Sequence, residues 1–184
     1  MTAGERRDED ALRVVSPSPQ LTFQDVTPGF ALPELVRGPI DISHMARWSS
    51  AVQEWHKIHY DGGAAHDGGF PGAVVNMSWW QHVVAKQLRE WLGEGGWLWR
   101  FRVGISYASF PVAGDTISLW ATVRESYEHA GLGVVEFDIG IRKQTGEECL
   151  TGGEATGILP LRDGPPVPYP FPASFVPPRH QPPA

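Results

Sequence analysis

Residues 71 to 96 read PGAVVNMSWWQHVVAKQLREWLGEGG, and the reading of this stretch decides the fold. Ala73, Met77, Trp80, Val84, Leu88 and Trp91 step by three and four, the spacing of one face of an α-helix. Gln81, His82, Lys86, Arg89 and Glu90 fall elsewhere around the axis. The spacing predicts a helix over 73–92, buried along that stripe, entered from Pro71-Gly72 and stopped by Gly93-Glu94-Gly95-Gly96. The first backbone N–H groups of such a helix have no partner within it, so its start is a ready site for an anion or a polarised oxygen.

Upstream lies Glu54-Trp55-His56-Lys57-Ile58-His59-Tyr60-Asp61, with two histidines, two carboxylates and two large aromatics in eight residues. Titratable groups gathered beside apolar surface are where proteins adjust proton affinities for chemistry, so this cluster is the candidate active site. Gly62-Gly63 and Gly68-Gly69 connect it to the long helix. Ahead of it, Asp41 or Ser43 can cap a first helix over 42–53, with Met45, Trp48, Ser49 and Val52 on one face and Glu54 at or just past its end. Leu21 to Ile40 is broken by Pro28-Gly29, Pro33 and Pro39, which predicts an edge strand and an extended lead-in. Residues 1–20 are charged and then Ser/Pro-rich, and read as a flexible N-terminal arm.

Downstream the period changes to two. Strands are predicted over 97–110, 116–127, 134–143 and 147–159. Ile117, Leu119, Ala121 and Val123 alternate in the second, Val135, Phe137, Ile139 and Ile141 in the third, and Thr145-Gly146 turns the chain into the last. Four consecutive strands with short turns imply an antiparallel meander wrapped around the long helix, an α+β domain over 21–160. One sheet layer around one helix leaves a far face and an edge uncovered, which argues for a dimer. Residues 161–184 form a Pro-rich C-terminal tail that suits polyproline II; packing of Tyr169, Phe171 and Phe175 on a surface or partner and a disordered tail fit the composition equally.

Composition excludes several classes. The 184 residues carry a net charge of −6 and no basic run, so neither nucleic acid nor an anionic membrane is an expected partner. No apolar run is long enough to span a bilayer, and the N-terminus has no signal-peptide core. Cys149 is the single cysteine, which fits a reducing, cytoplasmic setting. Glu54, His56 and His59, with Asp61, His66 or Asp67, have zinc-ligand types, but their spacing matches no established zinc pattern, and neither metal nor cofactor is assigned. The blander reading of Glu54 is a solvated helix-end carboxylate paired with Lys57.

Ile58-His59-Tyr60-Asp61, the helix start near Val74-Val75-Asn76-Met77, Pro111-Val112-Ala113-Gly114-Asp115, and Gly152, Glu154 and Ala155 together resemble the MaoC-like hydratase/dehydratase family of the hot-dog fold over roughly residues 23–160. The resemblance implies a single hot-dog domain, dimeric with itself or with a second hot-dog chain. It also implies reversible addition of water to a trans-2-enoyl thioester of coenzyme A or acyl carrier protein. The family motif D-x-N-P-I-H places the catalytic pair at Glu54 and His59, with glutamate for aspartate and His56-Lys57 for Asn-Pro. The family's H-G pair falls on Asn76-Met77, so the Met77 N–H would hold the thioester oxygen. His56, Asn76 and Asp61 are then expected to support the pair, and Trp55, Trp79 and Trp80 to line an acyl pocket. A hot-dog thioesterase and a non-catalytic subunit of a two-chain hydratase are the alternatives.

Overall fold

The computed structural model describes residues 21–103, 109–150 and 152–180. The arm over residues 1–20 and the segment 104–108 of the first predicted strand lie outside these, as do residues 151 and 181–184. In chain order the elements are β1 (Leu35–Arg37), α1 (Ile42–Val52), α2 (Gly62–Asp67), α3 (Met77–Leu92), β2 (Trp97–Arg102), β3 (Ile117–His129), β4 (Leu132–Lys143) and β5 (Gly153–Leu159). One-turn 3-10 helices stand at Phe23–Asp25, Lys57–His59 and Pro178–His180.

The five strands form one antiparallel sheet in the order β1-β3-β4-β5-β2. The meander expectation holds for β3, β4 and β5 and fails at β2, which pairs with β5 rather than with β3. The reason is the tight loop after α3. Gly93, at φ 74°, ends the helix, and four residues later the chain is already in β2, so this strand must lie beside the helix it has just left. Contacts of α3 with both β2 and β5 place it against that side of the sheet.

The alternation read from the sequence is the inner face. Ile117, Leu119, Ala121 and Val123 of β3 and Val135, Phe137, Ile139 and Ile141 of β4 are buried in one cluster with Trp80, Val83, Val84, Leu88 and Leu92 of α3. Gly157 lets the helix approach: a methyl group there would stand 2.7 Å from a Leu92 Cδ atom. The stripe predicted for α3 is right from Trp80 onward and wrong at its start. Ala73 to Asn76 are extended, and Met77 is 43% exposed at the first turn.

The outer face is covered from within the chain. Leu132, Val134, Ile158 and Phe175 form a second buried cluster with Trp99, Tyr127, Val167 and Phe171 packed on it. Phe171 and Phe175 stand edge-on to Trp99 with centroids 5.1 and 5.4 Å away, and Tyr169 lies against Trp97 at 5.0 Å. The Pro-rich tail thus lies on the sheet, fastened further along by an Arg179–Glu125 ion pair. Beneath it the buried Glu136 accepts hydrogen bonds from Thr156 and Tyr127.

Candidate active site

The cluster is assembled from three parts. Asp41 caps α1 by accepting from the Ser43 and His44 N–H groups at 2.7 and 3.2 Å. At the other end Gln53 adopts the left-handed conformation at φ 56° and the Glu54 N–H returns to the Ser49 carbonyl at 2.9 Å. That turn directs Glu54 away from the α1 axis. The 3-10 turn Lys57–His59 follows, closed by the Tyr60 hydroxyl donating to the Trp55 carbonyl at 2.8 Å. Asp61 then caps α2 through Gly63 and Ala64, so it shapes the loop.

The third part is the extended lead-in to α3. Val75 N–H bonds to the Pro111 carbonyl and Ala113 N–H to the Ala73 carbonyl, at 2.9 and 2.8 Å. Gly114 and Asp115 exchange bonds with Ile40, and the Asp115 carboxylate accepts from the Val112 N–H at 2.9 Å. The Pro111–Asp115 segment therefore clips the lead-in of α3 to the lead-in of α1. The two helices that flank the titratable cluster in sequence, α1 and α3, start from one support.

On that support the two candidate catalytic side chains are anchored two residues apart, roughly 7 Å of extended chain. His59 Nδ1 lies 2.8 Å from the Val74 carbonyl. A carbonyl can only accept, so Nδ1 carries the proton and Nε2 of the neutral ring is left as an acceptor. Glu54 Oε2 accepts from Asn76 Nδ2 at 3.2 Å. Asn76 is 2% exposed and caps α3, its Oδ1 accepting from the Ser78 N–H at 2.9 Å. The Trp79 N–H is taken by the Asn76 carbonyl, whereas no hydrogen bond among the described residues takes the Met77 N–H. It is the free donor at the start of a sixteen-residue helix.

The remaining expected site residues separate. His56 is exposed, its ring edge-on to His59 at 6.0 Å. Trp55 is 62% exposed. Trp79 is half-buried against the main core, and Trp80 is a core residue at 1% exposure whose indole Nε1 has no partner among the described residues. Among those residues no group of three or more His, Cys, Asp or Glu is placed to hold a metal ion. No helix there is long and apolar enough to cross a membrane.

Two residues of the site were not singled out from sequence. Ser78 donates its hydroxyl to Asn76 Oδ1 at 2.5 Å and receives the Trp48 indole N–H at 2.8 Å. The signal was present as Asn76-Met77-Ser78, an Asx cap over the following N–H groups. A helix read from Ala73 places Asn76 inside its first turn and hides that cap.

Solved structures share this fold. R-hydratase PhaJ1 from Pseudomonas aeruginosa, in its unliganded form, superposes with a TM-score of 0.67 at 14% identity, over 77% of this chain and 87% of that one. A MaoC-like dehydratase from Rhodospirillum rubrum gives 0.64 at 15% identity, over 77% and 98%. A conserved hypothetical protein of Mycobacterium tuberculosis described as a double hot-dog gives 0.61 at 19% identity, over 79% of this chain and 46% of that one. This chain has the hot-dog fold. In hot-dog terms α3 is the central helix and the five-stranded sheet its wrapping. No protein-family model matches the sequence, and no curated protein does.

Proposed function

We propose that this hot-dog protein is a MaoC-like hydratase or dehydratase, adding water to a trans-2-enoyl thioester or removing it from the 3-hydroxyacyl product. The observation that carries the reading is the pair of anchors on residues 74–76. Val74 holds His59 by Nδ1 and Asn76 holds Glu54 by Oε2, leaving one nitrogen and one oxygen as acceptors beside the start of α3. Two acceptors suit a water molecule with two protons to give; held by both, it turns an oxygen lone pair toward Cβ.

As that oxygen bonds to Cβ, one member of the pair takes a water proton and charge moves onto the thioester oxygen as an enolate. A proton delivered to Cα by the same coupled pair completes the addition, so water's OH ends on Cβ and its H is balanced at Cα. The Met77 N–H is the donor we assign to the enolate oxygen. The carrier is coenzyme A or an acyl carrier protein, the protein acts as a hot-dog dimer, and the buried free thiol of Cys149 fits a reducing, cytoplasmic setting. The R-hydratase and MaoC-like dehydratase structures support the reaction class through their fold.

The test is loss of enoyl absorbance with crotonyl-, trans-2-octenoyl- and cinnamoyl-CoA, for wild type beside Glu54→Gln and His59→Ala. Turnover of at least one probe is expected, falling about 10²- to 10⁴-fold in each variant. Release of free thiol in place of hydration would turn the reading to a thioesterase. A folded wild-type protein inert to all three would turn it to a subunit that needs a second hot-dog chain.

A further inference from the structure

Resting on the hydration reading, we infer that Trp48 and Ser78 are positioning residues, joined with Asn76 in a one-way hydrogen-bond relay that selects which oxygen of Glu54 does chemistry. The relay starts on α1. The indole N–H of Trp48 can only donate, and it donates to Ser78 Oγ at 2.8 Å. With that bond received, the Ser78 hydroxyl turns its own proton to Asn76 Oδ1, 2.5 Å away, where the Ser78 backbone N–H also donates at 2.9 Å.

Two donors on one atom fix Oδ1 as the acceptor end of the amide. The NH2 end must then face Glu54 Oε2, at 3.2 Å. Asn76 is 2% exposed, so solvent water does not offer its side chain a competing partner. An amide NH2 group has no lone pair to offer, and a proton on Oε2 would meet it hydrogen to hydrogen. Oε2 therefore stays unprotonated throughout the cycle, and any proton that Glu54 carries is on Oε1. The Glu54 side chain is exposed and has one more rotor than aspartate, and this relay is what gives it a fixed orientation. Trp48 is itself held at the seam between α1 and α3 by the His82 ring, at 5.4 Å.

The test uses the full chain. Trp48→Phe keeps a ring and deletes the N–H, Ser78→Ala deletes the hydroxyl, and Ser78→Thr restores it. With the three enoyl-CoA probes, kcat is expected to fall about two- to tenfold in Trp48→Phe and Ser78→Ala, the worth of one hydrogen bond, with KM unchanged and Ser78→Thr close to wild type. In ¹H–¹⁵N spectra the Asn76 side-chain amide resonances are expected to move in both deletion variants and to return toward their wild-type positions in Ser78→Thr. Unchanged kcat in both deletion variants, or amide resonances indifferent to them, would overturn the relay. Inert wild-type protein would instead overturn the hydration reading and with it the catalytic meaning of the relay, and the resonances would still decide whether the relay holds Glu54.

Discussion

Replacing Met77 by proline is expected to remove the proposed oxyanion donor while leaving the central helix standing. Met77 is the first residue of α3, and its N–H bonds to nothing among the described residues, so a proline there deletes no helical hydrogen bond. The residue before a proline must be extended, and Asn76 already sits at φ −60° and ψ 128°. The Met77 side chain is 43% exposed, which leaves little packing to lose. The stability change is then expected to stay within about 0.5 kcal/mol, a shift of about 1–2 °C in Tm for a chain of this length. Loss of a single preorganised oxyanion donor, by contrast, costs about 10²- to 10³-fold in kcat, roughly 2.7–4 kcal/mol of transition-state stabilisation. The assay is kcat on the best enoyl-CoA probe beside a thermal melt, with Met77→Ala as the control that changes the side chain and keeps the N–H. A proline variant with unchanged Tm and a kcat within about fivefold of the alanine control would refute the assignment, because one donor is expected to matter far more than that.

Two further outcomes probe the outer face. Phe175→Ala, at a side chain 5% exposed between Trp99, Phe171 and His129, is expected to cost about 3 kcal/mol and about 6–12 °C in Tm. That is the low end for a buried Phe, since the tail can lift away. Faster proteolysis beyond Pro160 should accompany it, and an unchanged melt with unchanged cleavage would show that the tail is not part of the core. The Tyr127 phenol should ionise late: burial first, and then the Glu136 carboxylate, push it up to about 12. Its folded pKa lies above the usual value near 10, so its stabilising effect is whole below about pH 10 and is lost as pH rises toward 12. Absorbance titration should show a late phase that disappears in Tyr127→Phe; a late phase that persists would place the retarded phenol elsewhere.

Much of the fold was legible because burial leaves a period in the chain. The alternations 117–123 and 135–141 and the three-four stripe from Trp80 to Leu88 each record one face turned to one core, and α1 with its Asp41 cap is a local decision made within a few residues. The likeness of Ile58–Asp61 and Pro111–Asp115 to a known family pointed to the candidate site, since short turns carry their chemistry in their own residues. Three things were decided only in three dimensions. Where β2 pairs depends on how tightly Gly93–Gly96 folds it back along α3, and nothing in the strand itself distinguishes β3 from β5 as a neighbour. Whether the prolines after 160 lie free or against the sheet depends on Trp97 and Trp99, more than sixty residues earlier, offering rings to Tyr169, Phe171 and Phe175. The helix start moved from Ala73 to Met77 because Ala73, Val74 and Val75 find backbone partners on other segments, at Ile58 and Pro111–Ala113. The sequence determined which faces are apolar and which residues can cap a turn, because those are properties of neighbours along the chain. The tertiary structure decided that Glu54 and His59 are held by the residues leading into α3, because each is anchored by a side-chain or backbone group that the chain brings in from elsewhere.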